Sequence, residues 1–167
     1  RLYNLYDATD VRRDWCIAPF KYTTTNDVTT QTPWTNTQIY DRNIGKWRRT
    51  YESVTPKTRD ANSVNFPVLR YSDVLLMYAE AANAVNNGPT TLAEQYLNQV
   101  RRRGHNKPVT TPDATVDVAP GLVPLRFLEE IQNERAREFA FEGMRQHDLK
   151  RWGIYVSKMN TLATEIT

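Results

Sequence analysis

Two patterns of apolar and polar positions divide the chain near residue 66. Before it, nine aromatics from Tyr3 to Tyr51 are scattered without helical spacing. Eight of the fifteen positions from Thr23 to Thr37 are Thr. The β-branched content favours extended chain, and Pro19, Pro33 and Pro56 interrupt any strand. Residues 1–65 are therefore expected to form an irregular segment of loops and short strands. From Phe66 onward the period is helical. Tyr71, Val74, Leu75, Tyr78, Ala82 and Val85 follow the spacing of one helix face, and Asn86-Asn87-Gly88-Pro89 ends that helix. Thr91-Leu92-Ala93-Glu94 reads as a capping box opening a second helix. Its stripe is Leu92, Ala93, Tyr96, Leu97 and Val100. Arg101-Arg102-Arg103 complement the dipole at its C-terminus, and Gly104 suits the position after it. Joined by so short a turn, the helices near 70–86 and 91–103 form an antiparallel hairpin.

Residues 105–123 hold three prolines without periodicity and read as a loop, with His105 solvated in it. Pro124 fits the first position of a third helix, expected to run to about Glu142 before Gly143 breaks it. Met144 to Trp152 reads as a short fourth helix, stopped by Gly153. Ile154 to Thr167 is weakly patterned. The fold class expected is mainly α, in two regions: the irregular segment 1–65 and a helical region 66–167.

The third helix carries the most unusual chemistry. Phe127, Leu128, Ile131, Glu134, Arg135, Glu138 and Glu142 share one face, within about 60° of Ile131. Carboxylates stacked four apart repel unless cations intervene. Arg135, Arg145 and Arg151 are near in sequence, and Arg70 can reach in from the first helix. The simplest reading is a partly buried ion network that fixes helix packing. A carboxylate acid/base pair is the alternative reading. A di-metal site of the helical di-iron type needs Glu-x-x-His, and His147 lies five residues after Glu142.

Composition narrows the function further. With 22 basic against 19 acidic residues in 167, the net charge of +3 gives a weak field. The basic runs Lys46-Trp47-Arg48-Arg49 and Arg101–Arg103 are too short, or already explained, to indicate nucleic acid. The lone Cys16 excludes an internal disulfide or a cysteine metal site. No apolar run approaches the ~18 residues of a transmembrane helix. The first residues lack a hydrophobic signal core, and Cys16 follows a charged stretch unlike a lipoprotein signal. Any export signal or lipid anchor is expected upstream, and the chain reads as part of a longer protein.

Arg70-Tyr-Ser-Asp-Val-Leu-Leu-Met-Tyr-Ala-Glu-Ala81 resembles the stretch by which SusD/RagB proteins are recognised, and Leu97-Asn-Gln-Val-Arg-Arg-Arg103 is similar to the helix that follows it. Glu134-Arg-Ala-Arg-Glu-Phe-Ala-Phe-Glu-Gly143, Arg145 and Asp148-Leu-Lys-Arg-Trp-Gly153 look like the family's closing signature. Tyr6-Asp-Ala-Thr-Asp-Val-Arg-Arg-Asp14 is a weaker match to its preceding Asp-x-Arg turn. His147 departs from the aromatic usual there.

The resemblance implies tetratricopeptide-like helix pairs; no catalysis or cofactor is expected, since no nucleophile–base pair, phosphate loop or metal set can be assembled from these residues. It also implies a lipoprotein of the Bacteroidetes outer membrane, surface-facing. Such a protein captures an oligosaccharide or peptide for a SusC-like TonB-dependent transporter, touching the membrane only through a lipid anchor outside this chain. A helix-pair interaction scaffold without a small-molecule ligand is the alternative. Ligand contact is expected from Trp34, Tyr40 and Trp47, whose surroundings include Asn36, Gln38 and Asn43. Sugar sites need flat aromatic faces beside amide hydrogen-bond partners. Trp152 reads as a cap on the helical core.

Overall fold

The computed structural model describes residues 1–26, 28–53 and 63–166. The described chain is mainly helical. Two short helices, α1 (Leu2–Leu5) and α2 (Arg12–Cys16), precede an antiparallel hairpin of β1 (Phe20–Thr25) and β2 (Val28–Pro33). Then come α3 (Tyr71–Val85), α4 (Thr91–Gly104), α5 (Pro124–Glu138), α6 (Met144–Arg151) and α7 (Tyr155–Ile166). Among the described residues, no helix is long and apolar enough to cross a membrane.

The α3–α4 hairpin forms as expected, with the Tyr78 and Tyr96 rings meeting edge to face at 5.0 Å. Its details differ from the pattern in three instructive ways. The cap of α4 is Thr90, whose hydroxyl accepts from Ala93 N at 3.2 Å. Glu94, expected to close a capping box, instead accepts from Gly121 N at 2.8 Å and ties down the following loop.

The buried side of α3 also differs from the apolar stripe. Ser72, Asp73, Leu75, Leu76, Ala79 and Asn83 are buried, while Tyr71 and Val85 are exposed. The buried side is partly polar because it serves other elements: Asp73 pairs with Arg135, and Asn83 donates to Pro124 O at 3.0 Å. The helix is apolar on two sides, and periodicity alone selected the outward one.

Gly104 is the last residue of α4, without the left-handed conformation expected of a cap. Asn106, with φ 54°, takes that role. A Cβ on Gly104 would overlap the guanidinium of Arg12, which lies across this turn of the helix. Glycine is present here for close approach.

The main apolar core joins α3, α4 and α5 through Leu75, Leu76, Ala79, Leu97, Phe127 and Ile131. A smaller cluster of Tyr6, Cys16, Ile17 and Ala140 seats the N-terminal segment against the end of α5. Tyr6 donates its hydroxyl to Arg137 O at 2.8 Å. The segment carries more local order than expected, since α1 and α2 were not apparent in its composition. Ile17 bridges Ile44, so the chain doubles back beside α2. Pro19 and Pro33 bound the hairpin rather than interrupt it. Pro56 lies outside the described residues.

Helix α5 stops at Glu138, one turn earlier than its acidic stripe suggested. Phe139 caps it, and Phe141 (φ 63°) and Gly143 (φ 77°) reverse the chain. The early stop frees carbonyls at the helix end, and cations and donors occupy them. Glu138 O accepts from Lys46 Nζ at 2.7 Å and Arg70 Nη2 at 3.1 Å. Phe141 O accepts from the indole N–H of Trp47 at 3.2 Å. The weakly patterned C-terminal stretch is a helix, α7, packed against α6.

Candidate functional site

The acidic stripe of α5 forms a buried ion network. Glu134 takes Arg12 Nη1 and Arg137 Nη2, each at 2.7 Å. Glu138 takes Arg12 Nη1 at 2.9 Å, Arg70 Nη1 at 2.7 Å and Arg103 Nη2. Glu142, on the turn after the helix, takes Arg70 Nη2 at 2.8 Å and Lys46. Burial drives the Glu138 carboxyl upward, but Arg103, Arg12 and Arg70 outweigh it and hold its pKa near 2. The same balance, won by Arg12 and Arg137, lowers Glu134. Glu134 and Glu138, held ionised by the guanidinium groups around them, are poor proton acceptors, which fits a packing role and weighs against an acid/base pair.

Of the arginines expected to serve this stripe, Arg70 does so. Arg135 instead joins α3 to α6 by binding Asp73 at 2.6 Å and Asp148 at 2.8 Å. Arg145 donates to Gln132 O at 2.9 Å, and Arg151 binds Glu80 and Asp148. Of the unforeseen partners, Arg137 stands three residues along α5, and the others come from far along the chain: Arg12 and Lys46 from the N-terminal segment, and Arg103 from α4. Arg12 is itself aligned by Asp10, at 2.7 Å. The Asp10-Val-Arg12 turn, the weakest of the sequence motifs, is thus the clamp that joins both parts of the chain. His105, expected to be solvated, is buried beside this clamp and meets Thr9 Oγ1 through Nδ1 at 3.0 Å. Burial lowers its pKa, against the pull of Asp10 and Asp7.

A groove of about 420 Å³ opens between α1, α2 and the β-hairpin. Tyr3, Phe20 and Trp34 supply its aromatic rings, and Gln31 and Asn36 its amides. Arg13, Asp14 and Arg42 supply its charges. Trp34 is half-buried, held where its backbone N–H donates to Pro19 O at 2.8 Å. Arg13 binds Asp14 at 3.1 Å, and Arg42 lies 3.6 Å from the same carboxylate.

The structure separates the three aromatic candidates. Trp34 lines the groove together with Asn36. Tyr40 stands 95% exposed, outside its lining. Trp47 packs on Phe66 with ring centroids 5.2 Å apart, and its donor engages Phe141. Gln38 serves a local turn, its Oε1 accepting from Thr35 N, and Asn43 O accepts from Ala18 N where the chain doubles back beside α2. Trp152 bridges helices as expected of a cap, donating to Glu80 at 2.8 Å. The basic run at Lys46 is likewise engaged. Arg48 donates to Gly45 O at 2.9 Å and Asp14 O at 2.8 Å, and lies over the Trp15 ring. Paired in this way, the run offers no phosphate track. Arg101 and Arg102 bind Val116 O and Asp117, at 2.7 Å each. They serve the loop after α4 as well as its dipole.

The described residues thus combine a helical scaffold, an ion network directed to packing and an open aromatic groove. The SusD family model matches residues 3–167, and the chain belongs to that family. A crystallised SusD homolog from Bacteroides thetaiotaomicron superposes with a TM-score of 0.79 at 34% identity, over 94% of this chain and 32% of its own. SusD-like protein P25 of Formosa agariphila is 40% identical over 60% of this chain and 18% of its own length. SusD-like protein P2 of the same organism is 29% identical over 90% of this chain and 30% of its own. The chain thus spans about a third or less of the length of these relatives.

Proposed function

We propose that the protein captures a glycan at the surface of the outer membrane and delivers it to a SusC-like, TonB-dependent transporter. Capture is by binding, without turnover, and a lipid anchor outside this chain holds the protein to the membrane. The observation that carries this reading is the groove. In it, Trp34 and Tyr3 offer rings beside the amides of Gln31 and Asn36, the combination a sugar needs. Family membership supports the same reading, since SusD-like proteins are binding proteins.

Trp34 is the contact the geometry favours. Tyr40 has a free ring, and Trp47 is engaged with Phe66 and Phe141. The test is titration of the full-length protein with a panel of oligosaccharides and peptides, repeated with Trp34→Ala, Tyr40→Ala and Trp47→Ala. Trp34→Ala should weaken binding by about tenfold, a stacking contact being worth ~0.5–1.5 kcal/mol before its hydrogen bond. Unchanged affinity in all three, with loss on Trp152→Ala in a folded protein, would move the site to the helical half. Delivery is tested by co-purification with the TonB-dependent transporter from detergent-solubilised outer membranes.

A second reading, an interaction scaffold without a small ligand, draws on the outward side of α3, where Tyr71 and Val85 are exposed. Failure of every saccharide and peptide to bind, with transporter association intact, would favour it.

A further inference from the structure

Among the described residues, the buried side-chain donors without a hydrogen-bond partner belong to two residues of the groove. The Arg42 side chain is 4% exposed, yet its Nε and Nη1 have no hydrogen-bond partner in the protein. The acid beside it, Asp14 Oδ1, is 3.6 Å from Nη1, and both Asp14 oxygens already accept from Arg13, at 3.3 and 3.1 Å. By contrast, the buried Arg102, Arg135 and Arg137 each hold a carboxylate at hydrogen-bond distance. The indole Nε1 of Trp34 is a further buried donor without an acceptor. Buried donors left in this condition are costly, and an acceptor delivered to them binds with that cost relieved.

The aromatic rings of the groove point the same way. Lys21 Nζ stands 4.6 Å from the centroid of Trp34. The guanidinium carbons of Arg13 and Arg42 lie 5.0 and 5.1 Å from that of Tyr3, and Arg48 lies 5.2 Å from that of Phe20. Each ring therefore has a cation close by, so positive charge accompanies every aromatic surface in the groove that a sugar could meet. Arg13 and Arg42 share the carboxylate of Asp14, and Lys21 stands over Trp34, so these four side chains carry a surplus of two positive charges.

We propose that this groove takes an anionic sugar residue, bearing either the carboxylate of a uronate or a sulfate ester. Its oxygens accept from the Arg42 guanidinium and the Trp34 indole N–H. Lys21 and Arg13 supply the surrounding field, and Gln31 and Asn36 are within the groove to meet hydroxyls. The proposal rests on the glycan-capture reading and adds the charge class of the ligand. Sugar is favoured over acidic peptide because rings, amides and an indole donor line the same groove.

The experiment is calorimetric titration of the full-length protein with an oligogalacturonate, a sulfated carrageenan oligosaccharide, maltoheptaose and an oligoglutamate peptide. One of the two acidic saccharides should bind at least about tenfold more tightly than maltoheptaose, and added NaCl should weaken it. Which of them binds identifies carboxylate or sulfate. Arg42→Gln should cost that ligand about tenfold to a hundredfold, as expected for a lost charge-assisted bond, and Trp34→Phe a smaller factor. If Arg42→Gln does not fold, Trp34→Phe and the salt dependence carry the test. Tighter, salt-insensitive binding of maltoheptaose would overturn the proposal and leave glycan capture standing. Binding of oligoglutamate alone, or of no saccharide, would overturn both.

Discussion

Replacing Glu138 by Gln tests whether the buried network organises the fold. The carboxylate is 1% exposed and binds Arg12, Arg70 and Arg103 at once. Glutamine keeps its shape but sets an amide against three guanidinium groups. Two of them retain other carboxylates: Arg12 keeps Asp10 and Glu134, and Arg70 keeps Glu142. Arg103 is half exposed and can turn to solvent. The loss therefore belongs at the lower end of the ~3–5 kcal/mol typical of a broken buried pair. An independent route agrees. The Glu138 pKa falls from 4.5 to about 2 on folding, and about 2.5 units at 1.36 kcal/mol each is roughly 3 kcal/mol at pH 7. Because the folded pKa is the lower one, this stability is present above pH 4.5 and is lost as pH falls towards 2. The variant lacks that term at every pH. Urea denaturation followed by circular dichroism should show the full difference at pH 7 and less than about half of it, roughly 1.4 kcal/mol, at pH 3. A difference below ~1 kcal/mol at pH 7 would place Glu138 in a solvated surface pair. A large difference unchanged at pH 3 would refute the charge argument itself.

Gly104→Ala should destabilise, although alanine ordinarily gains ~1 kcal/mol over glycine inside a helix. The new Cβ collides with an Arg12 guanidinium held by three carboxylates, and overpacking of this kind costs ~1–3 kcal/mol. In an Arg12→Ala background the same change should become neutral or stabilising, which a double-mutant cycle in urea would register. Thr90→Ala should cost ~1 kcal/mol and Thr91→Ala only a few tenths, because Thr90 caps α4. Equal costs in chemical denaturation would return the cap to Thr91.

The helices were legible in the sequence because each carries its own punctuation. Pro124 opens α5, Asn86-Asn87-Gly88-Pro89 closes α3, and both boundaries fall within a residue or two of where those signals stand. What periodicity could not distinguish was which of two apolar sides of α3 faces the core. Asp73 and Asn83 look like solvent-facing positions until their partners on α5 are known, and Ser72 until Arg70 folds back onto it from the helix cap. The premature end of α5 was hidden for a related reason. Glu142 has the correct spacing to continue the stripe, but Phe141 and Gly143 take positive φ, and the glutamate reaches Arg70 from a turn. Helix α7 lacked caps and a strong pattern, so only contact with α6 reveals it.

The candidate groove was less legible, because it depends on residues far apart in the chain whose roles are opposite to those their types suggest. Aromatics in a polar stretch pointed to Trp34, Tyr40 and Trp47 alike, but a ring's neighbours decide its use. Trp47 meets Phe66 and the carbonyl of Phe141, whereas Trp34 lines the groove with Lys21 over its ring. The arginines divide in the same manner. Arg12 and Arg13 are consecutive on α2, and a helix turns about 100° per residue, so one is directed to the clamp and the other to the groove. Holding Arg12 between Asp10, Glu134 and Glu138 therefore also sets the orientation of α2, on which Arg13 and Asp14 stand. Asp14 in turn is 3.6 Å from Arg42. The buried network and the groove thus share a five-residue helix, so the ion pairs that fix Arg12 to the acidic stripe of α5 also fix where Arg13 and Asp14 stand.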